Sequence, residues 1–193
     1  RFAESSFGDL RAQIAACRVG DRGLDALVRR HGLQTFLHCV EGIWRQSETL
    51  AREQIARIKP GTYEAEAFFD SDGVNLDSPV PLKVKVEVVG SDMTVDFSDI
   101  SPQVAGSINS GESGAMAAAR VAFKSLVSPY SPIDEGCFRA LKVVIPEGKI
   151  LSARPPAPVG NWSRTLPTVI DLIYRALAPA LPEPGPAVRP STR

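Results

Sequence analysis

Apolar residues in the first part of the chain recur at intervals of three and four, as on one face of a helix. Leu10, Ile14 and Cys17 begin this stripe, and similar spacings continue well beyond them. Glycine is a poor helix former, so we expect the first helix to end at Gly20 and a second, short helix to end at Gly32. The pattern predicts a helical region over residues 1–59.

From residue 62 the hydrophobic period changes to two, which is typical of half-buried strands. In the clearest segment, apolar residues alternate with charged ones: Leu82, Val84, Val86 and Val88 with Lys83, Lys85 and Glu87. Turn residues at 70–73 and 90–92 separate three such segments. We therefore predict an antiparallel meander of three strands within 60–110.

Beyond the meander, the pattern predicts mixed helix and strand over 111–180. A run of small residues after Gly114 favours a helix that approaches a neighbouring element closely, and residues 141–145 favour a strand. We expect an α+β fold in which the N-terminal helices, the meander and these later elements pack as one domain over 1–180. The closely spaced prolines of 181–193 predict a flexible tail.

Charge balance and cysteine content narrow the functional classes. Lysine plus arginine equals aspartate plus glutamate at 22 each, so the chain lacks the basic excess that binding to a phosphate backbone requires. No apolar run reaches the roughly 18 residues of a membrane helix. The three cysteines are odd in number and widely spaced, which argues against a disulfide framework or a zinc ribbon. We expect a cytoplasmic protein that binds neither nucleic acid nor membranes.

Cysteine and histidine are weak candidates for catalysis or metal binding. Cys17 and Cys39 lie on apolar helix stripes, where a thiol usually behaves as a small hydrophobe, whereas Cys137 is the thiol we expect to be exposed. His31 and His38 could share a helix face, but no third ligand stands at a matching offset. No Gly-x-Ser-x-Gly motif is present, so no catalytic residue is assigned.

Oxygen-bearing side chains concentrate around Gly73, as in a calcium-binding loop. They are Asp70, Asp72, Asn75 and Asp77. The bidentate glutamate that ends an EF-hand loop is missing at its offset. We therefore interpret this segment as a solvated hairpin turn and predict no metal site.

The loop from Gly106 to Ser113 has the glycine spacing of a phosphate-binding loop and precedes a predicted helix. Glu112 stands where such loops carry lysine, and a carboxylate repels terminal phosphates, so nucleotide binding is disfavoured. Two alternatives stay open. Backbone N–H groups here can bind a carboxylate or carbonyl oxygen, or the loop is a connection shaped by packing. In the first case the binding residues are Gly106, Asn109, Ser110 and Gly111.

Several segments, in their order along the chain, resemble the hydantoinase B family. They are Gly8-Asp9-Leu10-Arg11-Ala12-Gln13-Ile14-Ala15-Ala16, His31-Gly32, Asp96-Phe97-Ser98, Ser101-Pro102-Gln103, Gly106, Ile108-Asn109, Pro146-Glu147-Gly148 and Pro156-Ala157-Pro158-Val159. Each is short, and their shared order makes the set specific. The chain departs from the family pattern at Ile133-Asp134-Glu135-Gly136, where an asparagine usually precedes the glycine, so no role of that asparagine is carried over.

The resemblance implies a fragment of the B-type component of an ATP-dependent hydrolase that opens cyclic amides such as hydantoin or 5-oxoproline. A large subunit of an ATP-dependent ketone carboxylase is the alternative within the family, and a non-catalytic scaffold or assembly segment is the alternative outside it. The implied partner is a hydantoinase A-type subunit in a hetero-oligomer, which would bind ATP and magnesium. The substrate would be a small cyclic amide or ketone.

The resemblance also implies where the metal of the family belongs. The histidine and aspartate residues associated with zinc or manganese in the B-type component would lie before Arg1, so we expect this segment to bind no cofactor itself. We also expect the isolated chain to be inactive and to retain no stoichiometric transition metal.

Overall fold

The computed structural model describes residues 3–160 and 162–181, and the chain divides into two compact units, residues 1–45 and 46–193. Eight helices and strands carry the described part of the fold. They are α1 (Ala3–His31), α2 (Leu33–Ile55), β1 (Gly61–Phe69), β2 (Val80–Val89), β3 (Asp92–Asp96), α3 (Glu112–Val127), β4 (Leu141–Val144) and α4 (Trp162–Leu177). Short 3-10 helices lie before β4, at Glu135–Phe138, and after α4, at Ala178–Ala180. This order confirms the α+β fold class. Apart from Leu181, the predicted tail lies outside the described residues.

The first unit contains α1 and the beginning of α2. The predicted end of the first helix at Gly20 is wrong, because α1 continues unbroken to His31. Gly20 and Gly23 are both exposed within α1, where glycine weakens a helix but leaves its hydrogen bonds intact. The break comes instead at Gly32, whose φ of 82° lies in the left-handed region that ends helices. Its N–H donates to the carbonyl oxygen of Val28 over 2.8 Å.

This difference between the glycines predicts opposite effects of alanine. Gly20→Ala should stabilise α1 by about 1 kcal/mol, since no atom lies within 4 Å of the added methyl group and alanine favours helix. Hydrogen exchange of the α1 amides should then slow by about fivefold. Gly32→Ala is the matched control and should speed the same exchange, because its positive φ strains any side chain. Unchanged exchange in Gly20→Ala would contradict an intact helix at this position.

The second unit is built on a four-stranded sheet with the strand order β1-β2-β3-β4. The strands β1, β2 and β3 form the predicted antiparallel meander, which is confirmed, and β4 joins the edge of β3 in parallel. A parallel neighbour requires a crossover, and α3 lies in the connection. One row of side chains crosses the inner face of the sheet: Tyr63, Val86, Val95 and Val143.

Two helices cover the inner face of this sheet and form the core. α4 packs against β1 and β2, and α3 packs against α4 and β4. Alanines on the buried side of α3 allow the two helices to lie close together: Ala115, Ala118, Ala119 and Ala122. α4 contributes the larger residues Val169, Leu172, Ile173 and Leu177, each at most 1% exposed. Burying side chains of this size contributes about 1.5–3 kcal/mol each, so this layer holds the sheet in place.

The end of α2 is also part of the second unit. Ala51 and Ile55 are fully buried in its core. Arg52 donates to Glu48 over 2.9 Å and to Asp92, at the start of β3, over 2.8 Å. These contacts fix the last turns of α2 against the sheet.

Candidate functional site

The segment from Gly106 to Ser110 lies between two extended stretches of chain and the beginning of α4. On one side, Ile108 and Asn109 form isolated β-bridges with Val159, and the Gly160 N–H donates to the Ser107 carbonyl oxygen over 3.1 Å. On the other side, the Ser110 N–H donates to the Ile150 carbonyl oxygen over 2.7 Å. The segment is therefore held by backbone hydrogen bonds on both sides.

α4 holds the same segment from a third direction. The Thr165 hydroxyl, which is fully buried, donates to the Ile108 carbonyl oxygen over 2.6 Å. Hydrogen bonds from two extended segments and from α4 therefore hold the loop in its conformation.

Asn109 organises the loop from inside. Its side chain is fully buried, and its Oδ1 accepts a hydrogen bond from the Val104 N–H over 2.9 Å. Its Nδ2 lies 2.8 Å from the Val104 carbonyl oxygen and 2.9 Å from those of Gly106 and Pro158. The two Nδ2 hydrogens are thus shared among three carbonyl oxygens, and Oδ1 accepts from one N–H group. The geometry gives Asn109 a bracing role, and direct contact with a substrate stays a prediction.

The glycines of the loop differ in whether packing requires them. A Cβ at Gly106 would lie 1.6 Å from the carbonyl oxygen of Asp72, so only glycine fits this close approach of two backbones. A Cβ at Gly114 would lie 2.4 Å from the Ser110 hydroxyl oxygen. Gly111 has no atom within 4 Å of a Cβ position and an ordinary φ of −81°, so neither packing nor backbone strain requires glycine there.

Asp72 joins the β1–β2 connection to the loop. The side chain is buried, and its Oδ1 accepts from the N–H groups of Val74 and Asn75 over 2.8 and 2.6 Å. Its Oδ2 accepts from the Gly106 N–H over 3.2 Å. These bonds, chiefly those from the backbone of Asn75 and Val74, hold the pKa of the Asp72 carboxyl below its ordinary value. Both carboxylate oxygens thus accept hydrogen bonds from N–H groups of this chain, as in a turn.

The lowered pKa predicts a pH-dependent contribution to stability. The folded pKa lies below the unfolded value of about 3.9, so the stabilisation is fully present above that value and is lost as pH falls through the folded pKa. Thermal melts should show that wild type is more stable than Asp72→Asn at pH 7. This difference in melting temperature should shrink as pH is lowered below about 4. An equal difference at pH 7 and pH 3 would show that the carboxylate charge is irrelevant.

A cleft of about 300 Å³ opens beside the loop. Its wall combines the end of β1, the turn that follows it, part of the loop and the first turn of α4. The lining residues are Phe68, Phe69, Asp70, Ser71, Asp72, Gly73, Ser107, Ile108 and Arg164. Ser107 and Arg164 are exposed, and Arg164 makes no ion pair with another residue of the described chain. The cleft thus offers hydrogen-bond donors on one wall and the Asp70 carboxylate, an acceptor, on another.

None of the four predicted site residues, all within the described chain, is among the residues that line the cleft. Gly106, Asn109 and Ser110 are buried and support the loop from behind, and Gly111 begins α3 as its N-cap. The residues of the loop that line the cleft are Ser107 and Ile108. Arg164 was missed, because its place beside the loop depends on a contact between segments more than fifty residues apart, to which the hydrophobic pattern gives no signal.

The expectations for the cysteines are reversed. Cys137, predicted to be exposed, is 1% exposed, and its Sγ lies 3.7 Å from the Pro132 carbonyl oxygen. Cys17 and Cys39, predicted to behave as buried hydrophobes, are exposed. The helix stripes that carry them are themselves exposed in the described chain, with Leu10 and Ile14 each 52% accessible.

Metal-binding clusters and membrane-spanning helices are both missing from the described residues. Over 3–160 and 162–181, no three histidine, cysteine, aspartate or glutamate side chains cluster as a metal site requires. Over the same ranges, no helix has the length and apolar character needed to span a membrane.

The chain matches the family model of Hydantoinase B/oxoprolinase over residues 1–192. It is 34% identical, over 188 residues, to a protein of Pseudomonas sp. (strain NS671) named as the B component of a D-/L-hydantoinase, covering 91% of this chain and 31% of that protein. It is 29% identical to the beta component of the caprolactamase of Pseudomonas jessenii, covering 91% of this chain and 30% of that one. The chain therefore spans about a third of the length of these relatives.

Solved structures agree in fold. The ATP-dependent caprolactamase from Pseudomonas jessenii superimposes with a TM-score of 0.82 at 27% identity, covering 92% of this chain and 31% of that one. An acetone carboxylase in its nucleotide-free state superimposes with a TM-score of 0.72 at 17% identity, covering 89% of this chain and 24% of the other. The second likeness shows the shared fold alone. With a family model that matches nearly every residue, the chain belongs to the Hydantoinase B/oxoprolinase family.

Proposed function

We propose that this chain forms part of the B-type component of an ATP-dependent hydrolase that opens cyclic amides. The observation that carries the proposal is the match to the Hydantoinase B/oxoprolinase model over residues 1–192. The names of the relatives support the reaction class, since they include components of a hydantoinase and a caprolactamase and a 5-oxoprolinase of Saccharomyces cerevisiae. Hydantoin, caprolactam and 5-oxoproline each contain a ring amide.

Ketone carboxylation is the second candidate, and the comparisons favour it less. The acetone carboxylase is 17% identical, whereas the structural match to the caprolactamase is 27% identical with a higher TM-score. The chemistry of the cleft agrees with an amide, because a ring amide presents an N–H beside a C=O. Asp70 could accept from the N–H while Ser107 or Arg164 donates to the C=O.

The remaining parts of the proposal concern the complete enzyme. ATP and magnesium belong to an A-type partner in a cytoplasmic hetero-oligomer, and a zinc or manganese ion, where one is used, belongs to another part of the B-type component. This chain contributes a rigid wall of the substrate cavity or of the partner contact, built around the loop from Gly106 to Gly111. The chain alone is then inactive.

The reaction class can be tested with the complete B-type polypeptide purified together with its A-type partner. The complex is incubated with ATP and, separately, hydantoin, 5-oxoproline, caprolactam, or acetone with bicarbonate. Mass spectrometry should detect an ATP-dependent ring-opened acid from at least one cyclic amide. A carboxylated ketone with no opened ring would replace the proposal with the carboxylase, and no product from any substrate would favour a scaffold.

The role of the cleft can be tested in the same complex. Arg164→Gln should raise the KM for the cyclic amide by about tenfold, since it removes a charged donor, and should leave the melting temperature unchanged because the side chain is exposed. Arg175→Gln, an exposed arginine further along α4, is the matched control and should leave KM unaltered. Equal KM values in both variants would remove Arg164 from the site.

A further inference from the structure

β1 is an edge strand of the sheet. It pairs with β2 through nine consecutive residues, from Gly61 opposite Val88 to Phe69 opposite Val80, without a bulge. No described strand pairs with its other side. Natural edges are usually shortened, bulged or interrupted by proline, because their free N–H and C=O groups attract further strands. None of these three protections is present in β1.

The inner side chains of β1 are less covered than those of its neighbour. Leu82, Val84 and Val86 on β2 are at most 2% exposed. Their register partners Ala67, Ala65 and Tyr63 on β1 are only partly buried, although they face the same helical layer. Over the described residues, the apolar layer of the core therefore continues to the edge strand, where its side chains are only partly covered.

The outer side chains of β1 are acidic at its centre. Glu64 and Glu66 are exposed on the face away from the helices. Glu66 lies 3.6 Å from the Lys83 ammonium, whereas Lys85, the register partner of Glu64, forms its ion pair with Asp96 over 3.2 Å. A strand added beside β1 would place its own outer side chains directly against these two carboxylates.

These charges decide against a second copy of the chain as the occupant. If two β1 strands paired in antiparallel fashion about their centres, with both helical layers on the same side, Glu64 would face Glu64 or Glu66 of the other copy. Like charges directly opposite each other destabilise a strand pair. The favoured occupant has the opposite charge pattern.

We propose that the β1 edge binds an extended segment of a partner polypeptide in which apolar and basic residues alternate, as a fifth strand of the sheet. The backbone edge supplies the hydrogen bonds, as in other cases of strand addition. The apolar residues complete the row formed by Tyr63, Ala65 and Ala67, and the basic residues pair with Glu64 and Glu66. This interaction is independent of the reaction proposed above.

The test uses the 193-residue chain and a blocked peptide of alternating valine and lysine, nine residues long to match β1. Binding is followed by fluorescence anisotropy and by hydrogen exchange. At a peptide concentration about ten times Kd, exchange of the exposed-edge amides of Gly61–Phe69 should slow by about tenfold. The same peptide N-methylated at every residue keeps its charge but has no N–H group left to donate to β1, and it should give no protection.

Variants of the chain test the charge pattern. Glu64→Lys with Glu66→Lys should weaken binding of the lysine peptide by about fivefold and should favour a peptide with glutamate in place of lysine. Glu53→Lys with Asp171→Lys makes the same change of net charge on exposed helix positions and should have no effect. Anisotropy without protection of β1, or equal binding of the N-methylated peptide, would reduce the effect to nonspecific attraction and overturn the proposal. Protection of β1 that rises with chain concentration in the absence of peptide would identify a second copy as the occupant and overturn it as well.

Discussion

Replacing Gly106 with alanine should lower the melting temperature of the chain by about 6–12 °C, which corresponds to about 3 kcal/mol. The reason is steric, since the new Cβ would lie 1.6 Å from the carbonyl oxygen of Asp72. That oxygen belongs to backbone and cannot rotate away, so the loop or the β1–β2 connection must move. The movement also removes the hydrogen bond from the Gly106 N–H to the Asp72 carboxylate. Differential scanning calorimetry measures the change.

Gly111→Ala is the matched control for Gly106→Ala. It makes the same substitution five residues further along the same loop, where no atom lies within 4 Å of the added methyl group and φ is −81°. We expect a change in melting temperature of at most about 2 °C, in either direction. If both variants lost stability equally, loss of glycine flexibility would explain the result, and the contact with Asp72 would not.

Asn109→Ala should also destabilise the chain by about 3 kcal/mol, again about 6–12 °C in melting temperature. The substitution removes the hydrogen-bond partner of the Val104 N–H and of three carbonyl groups, of which that of Gly106 is buried. An unsatisfied buried backbone group costs about 1–3 kcal/mol, and water entering the vacated space recovers part of this. Thermal melts of the chain give the stability, and turnover per folded molecule is measured in the complete complex.

The two measurements separate bracing from substrate contact at Asn109. Ser107→Ala serves as the control for the thermal melts alone, because Ser107 lines the cleft but is exposed in the same loop, and the change in its free energy of unfolding should be within about 0.5 kcal/mol. A lower melting temperature with normal turnover per folded molecule in Asn109→Ala would assign the residue to the architecture of the loop. Lost turnover at an unchanged melting temperature would contradict the bracing role and would place the amide at the substrate.

The hydrophobic pattern correctly predicted the parts of this protein in which buried and exposed positions alternate over a few residues. The alternation from Leu82 to Val88 specified β2 and its buried face, and turn residues at 90–92 specified the hairpin to β3. Period and turn chemistry act over a few residues, so they can be read without knowledge of the fold. The ordered segments that resemble the family also led to an assignment that the family model confirms over 1–192.

The extent of α1 was harder to predict, because the helix continues through Gly20 despite the low helix propensity of glycine. Propensity differs by only about 1 kcal/mol between glycine and alanine, which the rest of a 29-residue helix outweighs. The other predicted helix end, at Gly32, is confirmed, and its positive φ is the physical reason that α1 stops there.

The role of each residue in the candidate site could be assigned only from the tertiary structure. The sequence identified the loop from Gly106 to Gly111 as unusual, and it could not separate glycines required by packing from glycines that approach a ligand. Gly106 lies against Asp72, Asn109 against Pro158, and Ile108 against Thr165, each pair at least thirty-four residues apart. Contacts at such separations arise only when the sheet and α4 have assembled. For this reason the sequence alone predicted the strands, the helical regions and the family. The tertiary structure decided that α1 continues through Gly20, which loop residues support the cleft and which ones face it.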